Sequence, residues 1–233
     1  MHVTAAEVRT TPALLLLLMW QWLLLIIPPC SNEPLVLMMG AKVKGLETTV
    51  SNRTVWKFLG IRYAKSTAGL ERFQRPLPAD LLAEIDGTRF GARCPTSPFD
   101  SGMSEDCLFL NVYTPKEARK LPVLVFIHGG GFVSGSSNDI DGEVLAAEGD
   151  IIVVTFNYRL GVLGFMCTGD NSSRGNYGLW DQRMALKWVE TYIQYFGGDE
   201  KSVTLAGMSA GAASAAILSL SPFRGTCSAA SSK

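Results

Sequence analysis

Two continuous apolar runs stand out in the hydropathy pattern of the chain. Leu121–Ile127 reads LPVLVFI and Ile151–Phe156 reads IIVVTF. Runs of this kind, without polar alternation, are typical of strands buried on both faces of a parallel sheet. Another strand is predicted at Ser202–Ala206. Nearer the amino terminus, Leu35–Val43 and Thr54–Ile61 are β-type stretches bounded by turns that contain Gly and Asn.

Helical patterns separate the later strands. Apolar residues of Leu179–Phe196 recur at spacings of three and four, which predicts an amphipathic helix. Shorter helices are predicted at Gly142–Ala147 and Ala210–Leu220. Strands that alternate with helices predict a one-domain α/β fold, in which helices cover both faces of a mostly parallel sheet. Ala64–Ser104, with scattered Pro, Gly and Asp, is predicted to be irregular surface chain.

The first thirty residues differ from the rest of the chain. Ala13–Ile27 is an uncharged, almost wholly apolar run, and Pro28, Pro29 and Cys30 follow it. As a helix its 15 residues would extend about 22 Å, less than the hydrocarbon core of a bilayer, about 30 Å. A signal peptide over residues 1–30 is therefore favoured over a transmembrane anchor, which predicts a secreted protein.

Export would permit disulfides and N-glycosylation. Cys94 and Cys107 bound a short loop rich in Pro, Gly and Ser, which suits a local bridge. Cys167 is predicted to be a free thiol. The sequons at Asn52 and Asn171 are candidate glycosylation sites.

Composition argues against partners that are selected by bulk charge. The 21 basic residues balance the 21 acidic ones, and the charges are scattered along the chain. Neither nucleic acid nor an anionic membrane is therefore an expected partner.

The first chemical motif is GMSAG at Gly207–Gly211, between a predicted strand and an Ala-rich helix. A serine on such a strand-to-helix turn is exposed above the sheet, and small flanking residues let the turn close. Turns of Gly and Ser also arise by chance, but this context favours a nucleophile at Ser209. The amino terminus of the following helix adds positive partial charge where an oxyanion would form.

The second motif is HGGGF at His128–Phe132, directly after the predicted strand LPVLVFI. Consecutive glycines let backbone N–H groups turn toward one point, as an oxyanion hole requires. A flexible turn or an anion-binding nest is the alternative, and a phosphate loop is disfavoured because no GK[ST] follows. Combined with Ser209, this motif predicts acyl transfer.

These motifs resemble the type-B carboxylesterases, the family that includes the cholinesterases and the neuroligins. The resemblance runs from about Phe58 to Gly225 and includes FLGIRYA, ERFQRP, SEDCLFLNVYTP, HGGGFVSGSS, FNYRLGVLGF, GNYGLWDQRMALKWV, FGGD and GMSAG. It implies that residues 31–233 are the amino-terminal part of an α/β-hydrolase domain. It also implies a serine esterase that acts on small carboxylic esters through an acyl-enzyme, without a metal or cofactor.

The resemblance also implies roles for particular residues. Ser209 is the implied nucleophile, and the implied oxyanion donors are the N–H groups of Gly130, Gly131 and Ala210. His128 is expected to support the loop rather than to act as a base.

Structural pairings are implied in the same way. The family pattern implies a disulfide between Cys94 and Cys107. It also implies an ion pair between Glu105 and Arg159.

The chain departs from the family pattern after the nucleophile. A serine nucleophile needs a base, and in this fold the order along the chain is Ser, then Asp or Glu, then His. The 24 residues after Ser209 contain none of these acids or histidine, and the histidines are His2 and His128. We therefore expect a fold truncated after the nucleophile and inactive by itself. The strand before Ser209 is expected to have a neighbour on one side only.

Several origins would explain such an ending. An early-terminating transcript, an intron read-through or an incomplete gene model is favoured over an evolved short protein.

Two departures bear on substrate and function. The loop from Cys94 to Cys107 has no tryptophan, whereas cholinesterases have one there to stack on choline. Met208 stands where the family usually has Glu, and both features argue against choline esters. The alternative function is adhesion or binding of the neuroligin kind, for which a nucleophile is dispensable. Retention of Ser209 and of the triple glycine favours the enzyme.

Overall fold

A computed structural model describes residues 33–170 and 172–220, together with the backbone of 227–229. The predicted signal segment and Asn171 lie outside the described residues. The strands are β1 (Leu35–Met38), β2 (Ala41–Lys44), β3 (Leu46–Val50), β4 (Arg53–Arg62), β5 (Glu84–Asp86), β6 (Phe109–Pro115), β7 (Leu121–Ile127), β8 (Ile152–Phe156), β9 (Gly198–Gly207) and β10 (Cys227–Ala229). The α-helices are α1 (Glu143–Gly149), α2 (Gly161–Phe165), α3 (Tyr177–Tyr192) and α4 (Ala210–Leu220).

The larger sheet has seven described strands in the order β10-β9-β7-β8-β6-β4-β3. Strands β10, β9, β7 and β8 run parallel to one another. Strands β6, β4 and β3 extend the sheet in antiparallel fashion beyond β8. The predicted α/β-hydrolase fold is confirmed, with an antiparallel part beside the parallel one.

Helices cover both faces of this sheet, as predicted. Ile152, Val154 and Phe156 of β8 point into the main core, which also contains buried residues of α3. Val153 points to the opposite face, where it joins Ala146 and other residues of a smaller core around α1. All five residues of β8 are buried, which is the reason that its sequence shows no polar alternation.

The predicted helices are present, with shifted ends. The helix predicted at Leu179–Phe196 begins two residues earlier as α3, and a 3₁₀ turn at Ile193–Phe196 continues it. Val189 is buried on its inner face, whereas Leu186 is half-buried. The chain leaves this segment at Gly197, whose φ of 85° suits glycine.

Two predictions about the amino-terminal part were wrong in detail. Leu35–Val43 is not one strand: Met39 and Gly40, with φ of 49° and 91°, turn the chain between β1 and β2. Ala64–Ser104 is not wholly irregular, because it contains β5, which pairs with β2 in a separate three-stranded sheet. Strands this short contain too few residues for a hydropathy period to distinguish them from loops.

The strand before Ser209 has described neighbours on both sides, contrary to expectation. β9 pairs with β7, and β10 pairs with β9 at Val203–Leu205. The sequence Cys-Ser-Ala of β10 gives little strand signal. Unpaired backbone groups at a strand edge accept another strand largely irrespective of its side chains, and sequence reasoning missed β10 for this reason.

Cys94 and Cys107 form the predicted disulfide, with Cα atoms 5.0 Å apart. Both residues are buried in the main core. Cys167 is a free, exposed cysteine, as predicted.

Candidate active site

Ser209 lies on the tight turn between β9 and α4. Its φ is 55°, in the left-handed region that residues other than glycine rarely occupy, and the residue is exposed. Flanking glycines make this turn possible. A Cβ on Gly207 would lie 2.4 Å from the carbonyl carbon of Gly211, and a Cβ on Gly211 would lie 2.0 Å from the carbonyl oxygen of Ile127.

The HGGGF loop follows β7 and lies against this turn. β7 pairs with β9 so that Ile127 is opposite Gly207, which brings the carboxyl ends of both strands together. A Cβ on Gly129 would lie 3.4 Å from the Cβ of Ser209 and 2.7 Å from the carbonyl oxygen of Met208. The structure therefore brings together the two motifs that the sequence singled out, which begin 79 positions apart.

The three predicted oxyanion donors are backbone N–H groups at this junction. Gly130 and Gly131 have φ of 109° and 61°. The carbonyl of Gly130 accepts hydrogen bonds from the N–H groups of Val133 and Ser134. Ala210 is the first residue of α4, so its N–H has no acceptor within the helix. Within the described chain, no hydrogen bond is recorded from any of these three N–H groups.

His128 is buried behind the loop, and its ring is fixed by neighbours. Nδ1 donates to the carbonyl of Gly129 at 2.9 Å, and the ring stacks on Tyr158 with centroids 4.3 Å apart. The hydroxyl of Tyr158 donates to the carbonyl of His128 at 3.0 Å. Burial lowers the pKa of His128, which favours the neutral ring. These contacts suit a residue that holds the loop rather than one that receives a proton from Ser209.

The implied ion pair between Glu105 and Arg159 was wrong. Arg159 instead pairs with Asp181 of α3, through Nε–Oδ2 and Nη2–Oδ1 contacts of 2.7 Å each. The backbone N–H of Arg159 donates to the same carboxylate at 3.0 Å. Glu105 pairs with Arg72 on the surface.

The physical reason for this exchange is burial. The side chains of Arg159 and Asp181 are 3% and 0% exposed, and a buried guanidinium requires a carboxylate that is equally withdrawn from water. Sequence reasoning missed Asp181, although an acidic residue within the apolar segment YGLWDQRMALKWV was a usable signal.

Exposed apolar residues occur on the segments that form or adjoin the junction. Met208, Val133 and Val162 are each at least 60% exposed. Phe132 is fixed by two contacts. Its carbonyl accepts a hydrogen bond from the N–H of Gly161 at 2.7 Å, and its ring contacts the ring of Phe165. The acyl or alcohol group of a ligand beside Ser209 would contact apolar side chains of this kind.

No group of three or more metal-binding side chains occurs among the described residues. No helix in that part of the chain has the length and apolarity needed to cross a bilayer.

Known proteins resemble this chain over most of its length. The family model described as the carboxylesterase family matches residues 32–228. Acetylcholinesterase-1 of Trittame loki is 44% identical over 210 residues, which cover 81% of this chain and 37% of that protein. Carboxylesterase 1E of Mus musculus is 41% identical over 214 residues, which cover 82% and 38%.

A neuroligin and a solved structure are also similar to this chain. Neuroligin-2 of Mus musculus is 37% identical over 228 residues, which cover 77% of this chain and 27% of that protein. The structure described as a thermophilic pNB esterase is 43% identical with a TM-score of 0.72, and the match covers 81% of this chain and 41% of that one. The chain thus spans less than half the length of these relatives.

Proposed function

Because the chain belongs to the carboxylesterase family, we propose that it carries the nucleophile and oxyanion hole of a carboxylic ester hydrolase. The observation that supports this most is the left-handed backbone of Ser209, whose φ is 55°. Strained backbone of this kind costs about 1–3 kcal/mol and is concentrated at functional sites. Met39 shows that a simple turn can also have this backbone, so it supports a nucleophile through its combination with a serine side chain that lies against the HGGGF loop.

In the proposed reaction, Oγ of Ser209 attacks the carbonyl carbon of the ester. Negative charge develops on the carbonyl oxygen, and the N–H groups of Gly130, Gly131 and Ala210 donate hydrogen bonds to it. The amino-terminal end of α4 adds a favourable dipole. Collapse of the tetrahedral intermediate expels the alcohol and leaves an acyl-enzyme, which water then hydrolyses.

We assign the proton acceptor to a histidine outside these 233 residues. Two observations support this: His128 is buried with Nδ1 directed to the carbonyl of Gly129, and His2 belongs to the predicted signal. The relatives are more than twice as long as the part that they share with this chain. This chain by itself is therefore proposed to be inactive.

The proposed substrates are small, uncharged carboxylic esters. The exposed side chains of Met208, Val133 and Val162 would contact an acyl or alcohol group without attracting a cation. The loop closed by Cys94 and Cys107 offers no tryptophan for choline.

We also propose that the protein is exported and glycosylated. The Cys94–Cys107 disulfide is compatible with an oxidising compartment. Asn52 is exposed on the turn between β3 and β4, where a glycosyltransferase could reach it, whereas Asn171 lies outside the described residues. Residues 1–30 would act as the signal peptide.

A chimera tests the proposed activity without depending on the isolated chain. Residues 33–220 would replace the matching segment of Mus musculus carboxylesterase 1E. We expect the chimera to hydrolyse p-nitrophenyl butyrate and to label with a fluorophosphonate. Ser209→Ala should abolish both, whereas Ser202→Ala, at an exposed serine of β9, should not. A folded chimera that fails to label would favour the binding-protein alternative.

A further inference from the structure

A cavity of about 270 Å³ lies between α3 and the three-stranded sheet of β1, β2 and β5. Met184, Trp188 and Tyr192 of α3 form one wall, and Met38 and Ile85 of the small sheet form another. None of the lining residues belongs to the HGGGF loop or to the turn at Ser209. The proposed function leaves this cavity unexplained.

The interior of the cavity is apolar and aromatic. Trp188 and Tyr192 lie with ring centroids 5.5 Å apart, and Met38 and Tyr63 are each 1% exposed. The hydroxyl of Tyr63 donates to the carbonyl of Asn157 at 2.6 Å, so that polar group is already occupied. An engineered apolar cavity of about 150 Å³ binds benzene, and this larger one has room for a longer hydrocarbon group.

The charges at the cavity do not cancel. Arg62 is paired with Asp106 in a bidentate contact, and Asp80 is paired with Lys65 at 3.0 Å. Lys187, an exposed residue of α3, has no carboxylate within 4.0 Å in the described part of the chain. Lys187 is therefore the charged lining residue without a paired carboxylate in the described part of the chain, and the rest of the lining is mostly apolar.

We propose that this cavity binds a medium-chain carboxylate. Its alkyl chain would lie against Trp188 and Met184, and its carboxylate would lie beside the ammonium of Lys187. A cationic amphiphile would meet Lys187 as a like charge, and a neutral one would leave Lys187 without a partner. The site is recognised from its volume and charge, so it stands independently of the proposed esterase activity.

Isothermal titration of the soluble fraction of residues 31–233, without the proposed signal peptide, with sodium octanoate tests the proposal directly. Octanol and octylamine have the same alkyl chain with a neutral and a cationic end. We expect saturable binding of one octanoate per chain, with octanol at least about tenfold weaker, because a charge-assisted contact is lost. Octylamine should not bind. Absence of saturable octanoate binding, or equal binding of all three probes, would overturn the proposal.

Two variants test the charge of Lys187 and the apolar volume of the cavity separately. Lys187→Gln should weaken octanoate about tenfold and leave octanol unchanged. Ala79→Phe, at a lining residue, should fill the cavity and abolish binding of both. Lys201→Gln, at an exposed lysine of β9, is the matched control and should change nothing.

Circular dichroism would verify that each variant is folded. If Ala79→Phe does not fold, Thr191→Trp narrows the cavity from the side of α3 instead. Unchanged octanoate binding in a folded cavity-filling variant, or in Lys187→Gln, would place the ligand elsewhere and refute the site.

Discussion

Strands β4 and β9 have the same length, ten residues each, but very different surroundings. β4 pairs with β3 over five residues through a tight hairpin, and with β6 on its other side. β9 pairs with β7, but its outer edge is covered by β10 over only three residues. The strand that leads to the nucleophile is thus the less protected one.

This difference follows from how each strand obtains its neighbours. An antiparallel hairpin needs only a short turn, whereas a parallel neighbour arrives after a long crossover. The antiparallel part of the sheet is therefore closed by local chain, and the part that carries the candidate chemistry depends on distant segments. The same parallel arrangement places the ends of β7 and β9 side by side, as the site requires.

The largest expected effect concerns the chemistry at the end of β9. Among the described residues Ser209 has no suitably placed histidine, because His128 is held against the HGGGF loop, and loss of the base from a serine triad costs about 10⁶ in turnover. Any soluble fraction of the chain should hydrolyse p-nitrophenyl esters negligibly and should not label with a fluorophosphonate. Much of the expressed chain should be insoluble, because in the described part of the chain the outer edge of β9 is paired only at Val203–Leu205.

Mass spectrometry of the chain treated with the fluorophosphonate tests whether Ser209 is labelled. Stoichiometric labelling at Ser209 that disappears in Ser209→Ala would show that a base is supplied by a group that we have not identified.

The next largest effect concerns the ion pair that joins the loop after β8 to α3. Arg159→Met leaves Asp181 buried without its partner and should lower the free energy of unfolding by about 3–5 kcal/mol. Arg72→Met, which removes the partly exposed pair with Glu105, should cost no more than about 1 kcal/mol. Urea denaturation measures both.

A double-mutant cycle provides the control for these pairings. Coupling between Arg159 and Glu105 should be near zero. A large coupling would mean that the pairing implied by the family resemblance is the correct one.

The next prediction concerns the Cys94–Cys107 disulfide, which directly precedes β6 in the antiparallel part of the sheet. On the chain-entropy model, closing the loop between Cys94 and Cys107 stabilises the fold by about 3 kcal/mol. The paired variant Cys94→Ser/Cys107→Ser should show this loss in thermal or urea unfolding. Peptide mapping under non-reducing conditions should recover the two cysteines as one linked species, and alkylation of both without reduction would contradict the assignment.

The smallest effect compares matched valines of the two strands. Val55 of β4 is 0% exposed and Val203 of β9 is 4% exposed. Val55→Ala should cost about 2 kcal/mol, and Val203→Ala about 1 kcal/mol, because the thinly covered edge can relax around the smaller side chain. Equal losses in urea denaturation would mean that β10 protects β9 as well as β3 protects β4.

The elements that sequence reasoning predicted best are those with a strong pattern. β7, β8 and α4 were predicted to within a residue of their ends, because continuous apolar runs and Ala-rich helices carry a clear signal. β5 and β10, with three residues each, were missed because no period can be read from so short a segment. β1 and β2 were merged because the apolar run LVLMM continues into the turn, although Gly40, whose φ is 91°, was a usable turn signal.

The sequence by itself determined which residues are candidates for the chemistry. The motif GMSAG and its strand-to-helix context single out Ser209, and the resemblance to the carboxylesterases implies Gly130, Gly131 and Ala210 as oxyanion donors. Only the tertiary structure decided which groups meet: the pairing of β7 with β9 places the HGGGF loop against the turn at Ser209. Because both side chains are buried, Arg159 pairs with Asp181 instead of with Glu105. Motifs are local and can be read along the chain, whereas desolvation depends on the packing of distant segments, which no local pattern specifies.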